Sequence, residues 1–217
     1  MLAFLVNYAQ MPANPNDLVA EKSSITEDKR GVFQFRHFVL GFVITFLYMG
    51  AEAILYQLMI PYFKAIGNID NAEAVKYSAI IFYGLMAGRL LSAWSMTRFN
   101  PAKILGLFMF IAAFLVISSA VIGGMTGIYL ITAIGFFISI AFASLFALAT
   151  KDLGKYTNEA SSFLVMVILG GFYVPLLFGF VAHSFSLKTS MILVVIPLML
   201  TSGYDFFFKT IERTKKQ

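Results

Sequence analysis

From residue 35 onward the chain is built of long apolar runs separated by short polar breaks. A helix that crosses a bilayer needs roughly 20 mostly apolar residues at about 1.5 Å each. The runs at 35–63, 75–97, 103–122, 128–150, 160–183 and 189–208 meet that length, each bounded by charges, Gly or Pro, and predict six transmembrane helices. Residues 1–11 are apolar but too short to span, and 12–34 are polar, with Glu21, Lys22, Glu27, Asp28, Lys29 and Arg30 of mixed sign. This pattern reads as the end of a preceding transmembrane helix followed by a cytoplasmic linker. For the first stretch a short interfacial anchor is the alternative. Residues 209–217 form a basic tail.

The first run holds a single acidic residue, Glu52, near its middle. An acidic side chain at the centre of a spanning helix costs about 2.5–3.5 kcal/mol on insertion scales, so such residues face a bundle interior, a partner or a water-filled path. Thr45, Tyr48, Glu52 and Tyr56 are spaced by three, four and four, which aligns them on one helix face with Gln57 at its edge. Hydroxyl, carboxyl and aromatic groups in one stripe suit a polyhydroxylated ligand. A polar helix-to-helix contact is the competing reading. Arg89 is the other deep charge. Counted along the helices, it lies roughly 10 Å nearer the cytoplasmic side than Glu52, at ~1.5 Å per residue. That offset favours bonds to helix-end acceptors near the cytoplasmic gate over a direct pair with Glu52. Asp205, one turn from Lys209, reads as an interfacial pair.

Small residues recur at four-residue steps: Gly84, Gly88 and Ser92; Gly135, Ser139, Ala143 and Ala147; Gly171, Pro175 and Gly179. Such faces let helix backbones approach closely in a membrane. The pair Gly170 and Gly171, with Pro175, weakens the hydrogen-bond ladder of the fifth run in mid-membrane.

Composition sharpens the class. Hydrophobic residues make up 59% and charged residues 12% of the 217, with a mean hydropathy of +0.83. Soluble domains carry about 25% charged residues. The net charge of +5 does not point to nucleic acid, because the basic residues sit in loops and termini. One side receives Lys22, Lys29, Arg30, Arg36, Arg98, Lys103, Lys151, Lys155, Lys209, Arg213, Lys215 and Lys216; the other receives only Lys64, Lys76 and Lys188. By the positive-inside rule the linker and carboxyl terminus are cytoplasmic. With no cysteine and only His37 and His183, neither a thiolate nor a histidine metal site is available. No phosphate-cradling loop, paired carboxylates within one span or nucleophile with a histidine at matching depth is present, so no catalytic residue, metal or cofactor is expected.

Several segments in order carry a family resemblance: Tyr48 to Glu52 in the first run; Gly88 and Arg89, then Arg98, Asn100, Pro101 and Lys103; Ser139 and Ser144 leading to Lys151, Asp152, Gly154 and Thr157; Ser161 to Met166, then Gly170 and Gly171. The chain resembles the carboxyl-terminal six-helix half of major facilitator superfamily sugar transporters of the fucose permease and glucose/galactose type. The resemblance implies an all-α integral membrane fold, a six-transmembrane-helix bundle over 35–208 corresponding to the C-terminal half of a major facilitator fold. It implies symport of a monosaccharide, a hexose or deoxyhexose, coupled to protons or in some members to sodium. It also implies a multi-pass location in the bacterial inner membrane and a partnering N-terminal six-helix half, on the same or a separate chain, without which transport is not expected. On it, Tyr48, Glu52, Tyr56, Gln57 and Ser139 become candidate sugar contacts, and Arg89, Arg98, Gly170, Gly171 and Pro175 candidate gating or structural positions. Fucose permeases carry an amide where Glu52 stands, and other members a Glu. A non-transporting membrane scaffold made of the same six-helix bundle is the alternative function.

Overall fold

The computed structural model describes residues 31–96, 98, 100–184 and 187–204; the expectations for 1–30, for the end of the sixth run and for the Asp205–Lys209 pair lie outside them. Among the described residues the chain is helical, without strands. A 3-10 turn, Gly31–Gln34, leads into α1, Arg36–Gly67. There follow α2 (Asn71–Met96), α3 (Pro101–Ile122) and α4 (Gly124–Ala149). Helix α5 consists of Thr157–Met166, a 3-10 turn Val167–Leu169, and Gly170–Ser184. Helix α6 consists of Leu187–Ile192 and Val195–Ser202.

Local chemistry sets the ends. Asn68 takes the left-handed conformation (φ 50°) that ends α1, its N–H donating to the Lys64 carbonyl at 3.2 Å. The Asp70 carboxylate accepts the Glu73 N–H at 2.7 Å at the start of α2, and the Asn100 side chain accepts the Ala102 N–H at 3.0 Å ahead of α3, where Pro101 takes the first position. Gly123 and Gly124 both have positive φ, 64° and 60°, and make the tight reversal from α3 to α4 that a side chain would strain.

Five helices, Arg36–Gly67, Asn71–Leu91, Pro101–Ile122, Gly124–Ala149 and Gly154–Phe180, are long and apolar enough to cross a membrane; the sixth expected span is represented by the shorter apolar helix Ser190–Ser202 at the end of the described residues. The chain is a multi-pass, all-α membrane bundle. Helix α1 is its hub and packs against α2, α4, α5 and α6, whereas α3 packs against α4 and α6. Half of the apolar window of α1 is buried but only 22% of those of α2 and α5, so these two helices leave broad faces uncovered.

In a bilayer the lipid tails are as apolar as the side chains, so close packing rather than hydrophobic burial holds helices together. The expected small-residue faces of α2 and α4 do meet. A Cβ on Gly135 would strike the Ile81 carbonyl, and one on Gly88 would strike the Ser139 hydroxyl and lie 2.5 Å from the Phe136 carbonyl. Between α5 and α1, a Cβ on Gly170 would strike the Phe46 carbonyl. The faces are not buried throughout: Ala143 and Ala147 are exposed, and a Cβ on Gly179 would meet nothing. The break in α5 falls at the 3-10 turn directly before Gly170, while Pro175 sits inside the following helix without ending it. Helix α4 is also interrupted, at Ala133 and at Ser139–Ile140, positions without Gly or Pro.

The contacts at Gly135 set a measurable difference. Gly135→Ala forces a methyl group against a backbone carbonyl and is expected to destabilise by about 1–3 kcal/mol. Gly179→Ala meets open space and gains up to ~1 kcal/mol of helix propensity. Thermal unfolding of the two variants in detergent checks this ordering.

Candidate functional site

The stripe on α1 divides when the bundle assembles. Tyr48 is fully buried, and its hydroxyl donates to the Ile138 carbonyl of α4 at 2.9 Å, where the interruption at Ser139–Ile140 breaks the helix ladder. Thr45 is fully buried too and donates to the Gly41 carbonyl of its own helix at 2.6 Å. One turn further on, Glu52 and Tyr56 emerge into a cavity of about 520 Å³.

Four helices enclose this cavity. Helix α1 contributes Met49, Glu52, Ala53 and Tyr56; α2 contributes Arg89; α4 contributes Ile138, Ser139 and Phe142; α5 contributes Ile168, Gly171 and Phe172. The Tyr56 hydroxyl donates to Glu52 Oε1 at 2.8 Å, and its ring stacks on Phe82 with centroids 5.4 Å apart. These two contacts hold the carboxylate in one orientation. Ser139 Oγ donates to the Phe136 carbonyl at 2.7 Å and lies against Gly88 of α2 at the edge of the cavity. Arg89 is exposed to the same space. Its charge acts on Glu52 across the cavity, yet among the described residues no ion pair within 4 Å joins the two. The wall is otherwise apolar and aromatic, with a few convergent polar groups, the composition typical of small-molecule sites.

Of the residues singled out from sequence, Glu52, Tyr56, Ser139, Arg89 and Gly171 line this cavity. Tyr48 is buried outside the lining, its hydroxyl bonded to the Ile138 carbonyl and close to the Glu52 carboxylate, and Gln57 is exposed and outside the lining. Gly170 is buried against Phe46, Pro175 is half-buried one turn beyond Gly171, and Arg98 is exposed at the turn between α2 and α3. Phe142, Ile168 and Phe172 were not singled out from sequence, since an aromatic or aliphatic residue on an apolar helix carries no signal of which face it occupies. His37 gave no signal of its role either: buried in the first turn of α1, its Nε2–H donates to the Lys151 carbonyl at 3.0 Å and ties α1 to the α4–α5 loop.

Similarity to known proteins follows this architecture. A solved major facilitator superfamily transporter, FucP, in the outward conformation superposes with a TM-score of 0.76 at 28% identity, covering 80% of this chain and 42% of that one. The chain is related in sequence and fold to major facilitator superfamily transporters of the fucose permease and glucose/galactose type. A relative from Helicobacter pylori (strain ATCC 700392 / 26695), named for glucose/galactose transport, is 27% identical over 217 residues, all of this chain and 52% of that protein. The L-fucose-proton symporter of Escherichia coli (strain K12) is 30% identical over 187 residues, 85% of this chain and 43% of that protein. The chain thus spans about half the length of the curated relatives it matches. No protein-family model matches it. The cavity lies between α1, α2, α4 and α5.

The two tyrosines of the stripe should separate by experiment. Tyr48→Phe leaves the Ile138 carbonyl buried without its donor and is expected to cost about 1–3 kcal/mol. Tyr56→Phe removes a bond between half-buried groups beside a cavity and should cost well under ~1 kcal/mol. Melting temperatures of the two variants in the same detergent test the assignment; a larger drop for Tyr56→Phe would contradict it.

Proposed function

We propose that this chain is the carboxyl-terminal bundle of a secondary active transporter that moves a hexose or deoxyhexose, most simply by proton symport, and that its cavity is one wall of the sugar site. The observation that carries this reading is the cavity itself: a carboxylate, a tyrosine hydroxyl, a serine hydroxyl and a guanidinium facing one aromatic-walled space within the spanning helices. Hydroxyls of a sugar would find acceptors in Glu52 and Ser139 and donors in Arg89 and Tyr56, and its apolar ring face would find Phe142 and Phe172. Support also comes from the relatives, which are named for glucose/galactose transport and for L-fucose–proton symport, and of which this chain spans about half.

On this reading the facing wall comes from an N-terminal six-helix half, on the same or a separate chain, with the substrate held between two bundles near the midplane. Residues 12–34 act as the cytoplasmic linker between them, 35–208 as the transmembrane bundle and 209–217 as a cytoplasmic tail. The excess of basic residues in those segments and in the loops at Arg98 and Lys151 supports a cytoplasmic linker and carboxyl terminus in a bacterial inner membrane.

Proteoliposomes test this directly. The chain alone should show no saturable uptake of labelled fucose, glucose or galactose, and co-expression with an amino-terminal six-helix half encoded upstream should restore it. In that assembly Glu52→Gln should raise the half-saturating sugar concentration by about tenfold or more, the loss expected for one hydrogen bond to a charged acceptor, or alter the pH dependence of uptake. Saturable uptake by the chain alone would overturn the half-site reading. Unchanged affinity and pH dependence in a normally expressed Glu52→Gln assembly would make Glu52 structural.

A further inference from the structure

The buried side chains of the bundle fall into two clusters rather than one. The larger runs through all six helices, taking in α1 to α4, the second half of α5 and α6. The smaller is confined to the end of the bundle that carries the Gly31–Gln34 turn: Val32 and Phe38 from the entry to α1, Ala149, Leu153 and Tyr156 from the end of α4 and the loop after it, and Ala160, Leu164 and Val167 from the first half of α5. Its boundary on α5 coincides with the 3-10 turn Val167–Leu169, beyond which Val174 and Phe178 pack on the main cluster. Helix α5 is therefore two levers in two separate cores, joined where its regular hydrogen bonding changes. That joint lies in the cavity wall, since Ile168 and Gly171 line the cavity.

The short turn at Gly31–Gln34 clamps the first lever. Val32 is completely buried in the smaller cluster. Phe33 meets Phe163 edge-on at 4.8 Å and Phe38 at 5.8 Å, and Phe35 meets Tyr156 at 5.6 Å. Gly31, at φ 50°, lies against the Glu159 carboxylate, leaving no room for a Cβ. The loop at the other side of the lever bends through Asp152 and Gly154, both with positive φ.

We propose that the 31–38 segment and the first half of α5 form one cooperative unit that opens independently of the main bundle about the Val167–Leu169 turn, so that the segment entering α1 acts on the cavity through Ile168 in that joint, while Gly171 and Phe172 stay with the main bundle. The inference rests on the packing and holds whichever ligand the cavity takes. Because the two clusters, among the described residues, have only Met49 packed against both, the smaller can loosen at the cost of its own contacts alone.

Amide hydrogen exchange on the intact chain in detergent tests this. Val32→Ala removes two buried methyl groups, and should speed exchange of 150–166 about tenfold while leaving 170–184 and 101–122 at wild-type rates. Phe33→Ala, at a half-exposed position with little risk to folding, should move the same peptides in the same direction. Val116→Ala, in the main cluster, should leave 150–166 unchanged. Equal acceleration of 150–166 and 170–184 in the Val32 and Phe33 variants, or acceleration of neither, would overturn the proposal.

Discussion

Helix α1 can act as the hub of this bundle because its neighbours reach it backbone to backbone. Without water in the bilayer core every peptide group must be satisfied within the protein, and without a hydrophobic force between helices the attraction comes from close contact. Gly170 supplies that contact by resting on the Phe46 carbonyl, and Gly88 and Gly135 do the same between α2 and α4. Where α4 breaks at Ser139–Ile140, the Tyr48 hydroxyl takes up the Ile138 carbonyl. The cavity begins where these close approaches end. Gly171 is the first position of α5 past the tight seat, its nearest prospective contact being the Ala53 methyl at 3.6 Å, and Ser139 is the last of the α4 contact with Gly88. Packing and site are thus one arrangement: the residues that force the helices together also fix where they must part.

Glu52 shows how such a site tolerates a charge in mid-membrane. The carboxylate does not depend on a close cation. It is held by Tyr56, whose ring is braced by Phe82, with the Tyr48 hydroxyl beside it, and it looks across the cavity at Arg89. A tight ion pair would satisfy both groups and leave little for a ligand; a separated carboxylate and guanidinium keep both available.

The spans were legible because a run of about 20 apolar residues has few other uses, and the α2–α4 contact was legible because glycine and serine at four-residue steps have a direct steric meaning. The weak point of α5 was legible from its glycine pair. Other features were hidden for definite reasons. Tyr48, Glu52 and Tyr56 share a helix face, but periodicity does not say where along that face a neighbouring helix diverges, so the Tyr48 hydroxyl is buried against α4 beside the Glu52 carboxylate while Glu52 and Tyr56 line the cavity. Counting residues from the cytoplasmic end measures depth along each helix and ignores tilt, which is how Arg89 comes to share a cavity with Glu52. The interruptions of α4 have no Gly or Pro to announce them, and the second core at the Gly31–Gln34 end depends on contacts between residues 31–38 and 149–167 that no local pattern encodes.

The central claim is that the space around Glu52 is a wet, ligand-sized cavity rather than a lipid-facing surface. The chain has no cysteine, so single cysteines can be read without background. Labelling with a water-soluble, membrane-impermeant maleimide in lipid nanodiscs is the most direct measurement. Ala53→Cys and Ser139→Cys, in the cavity, should react, while Leu177→Cys and Phe114→Cys, exposed on the outside of α5 and α3, should not. Labelling at 177 and 114 with protection at 53 and 139 would contradict the account.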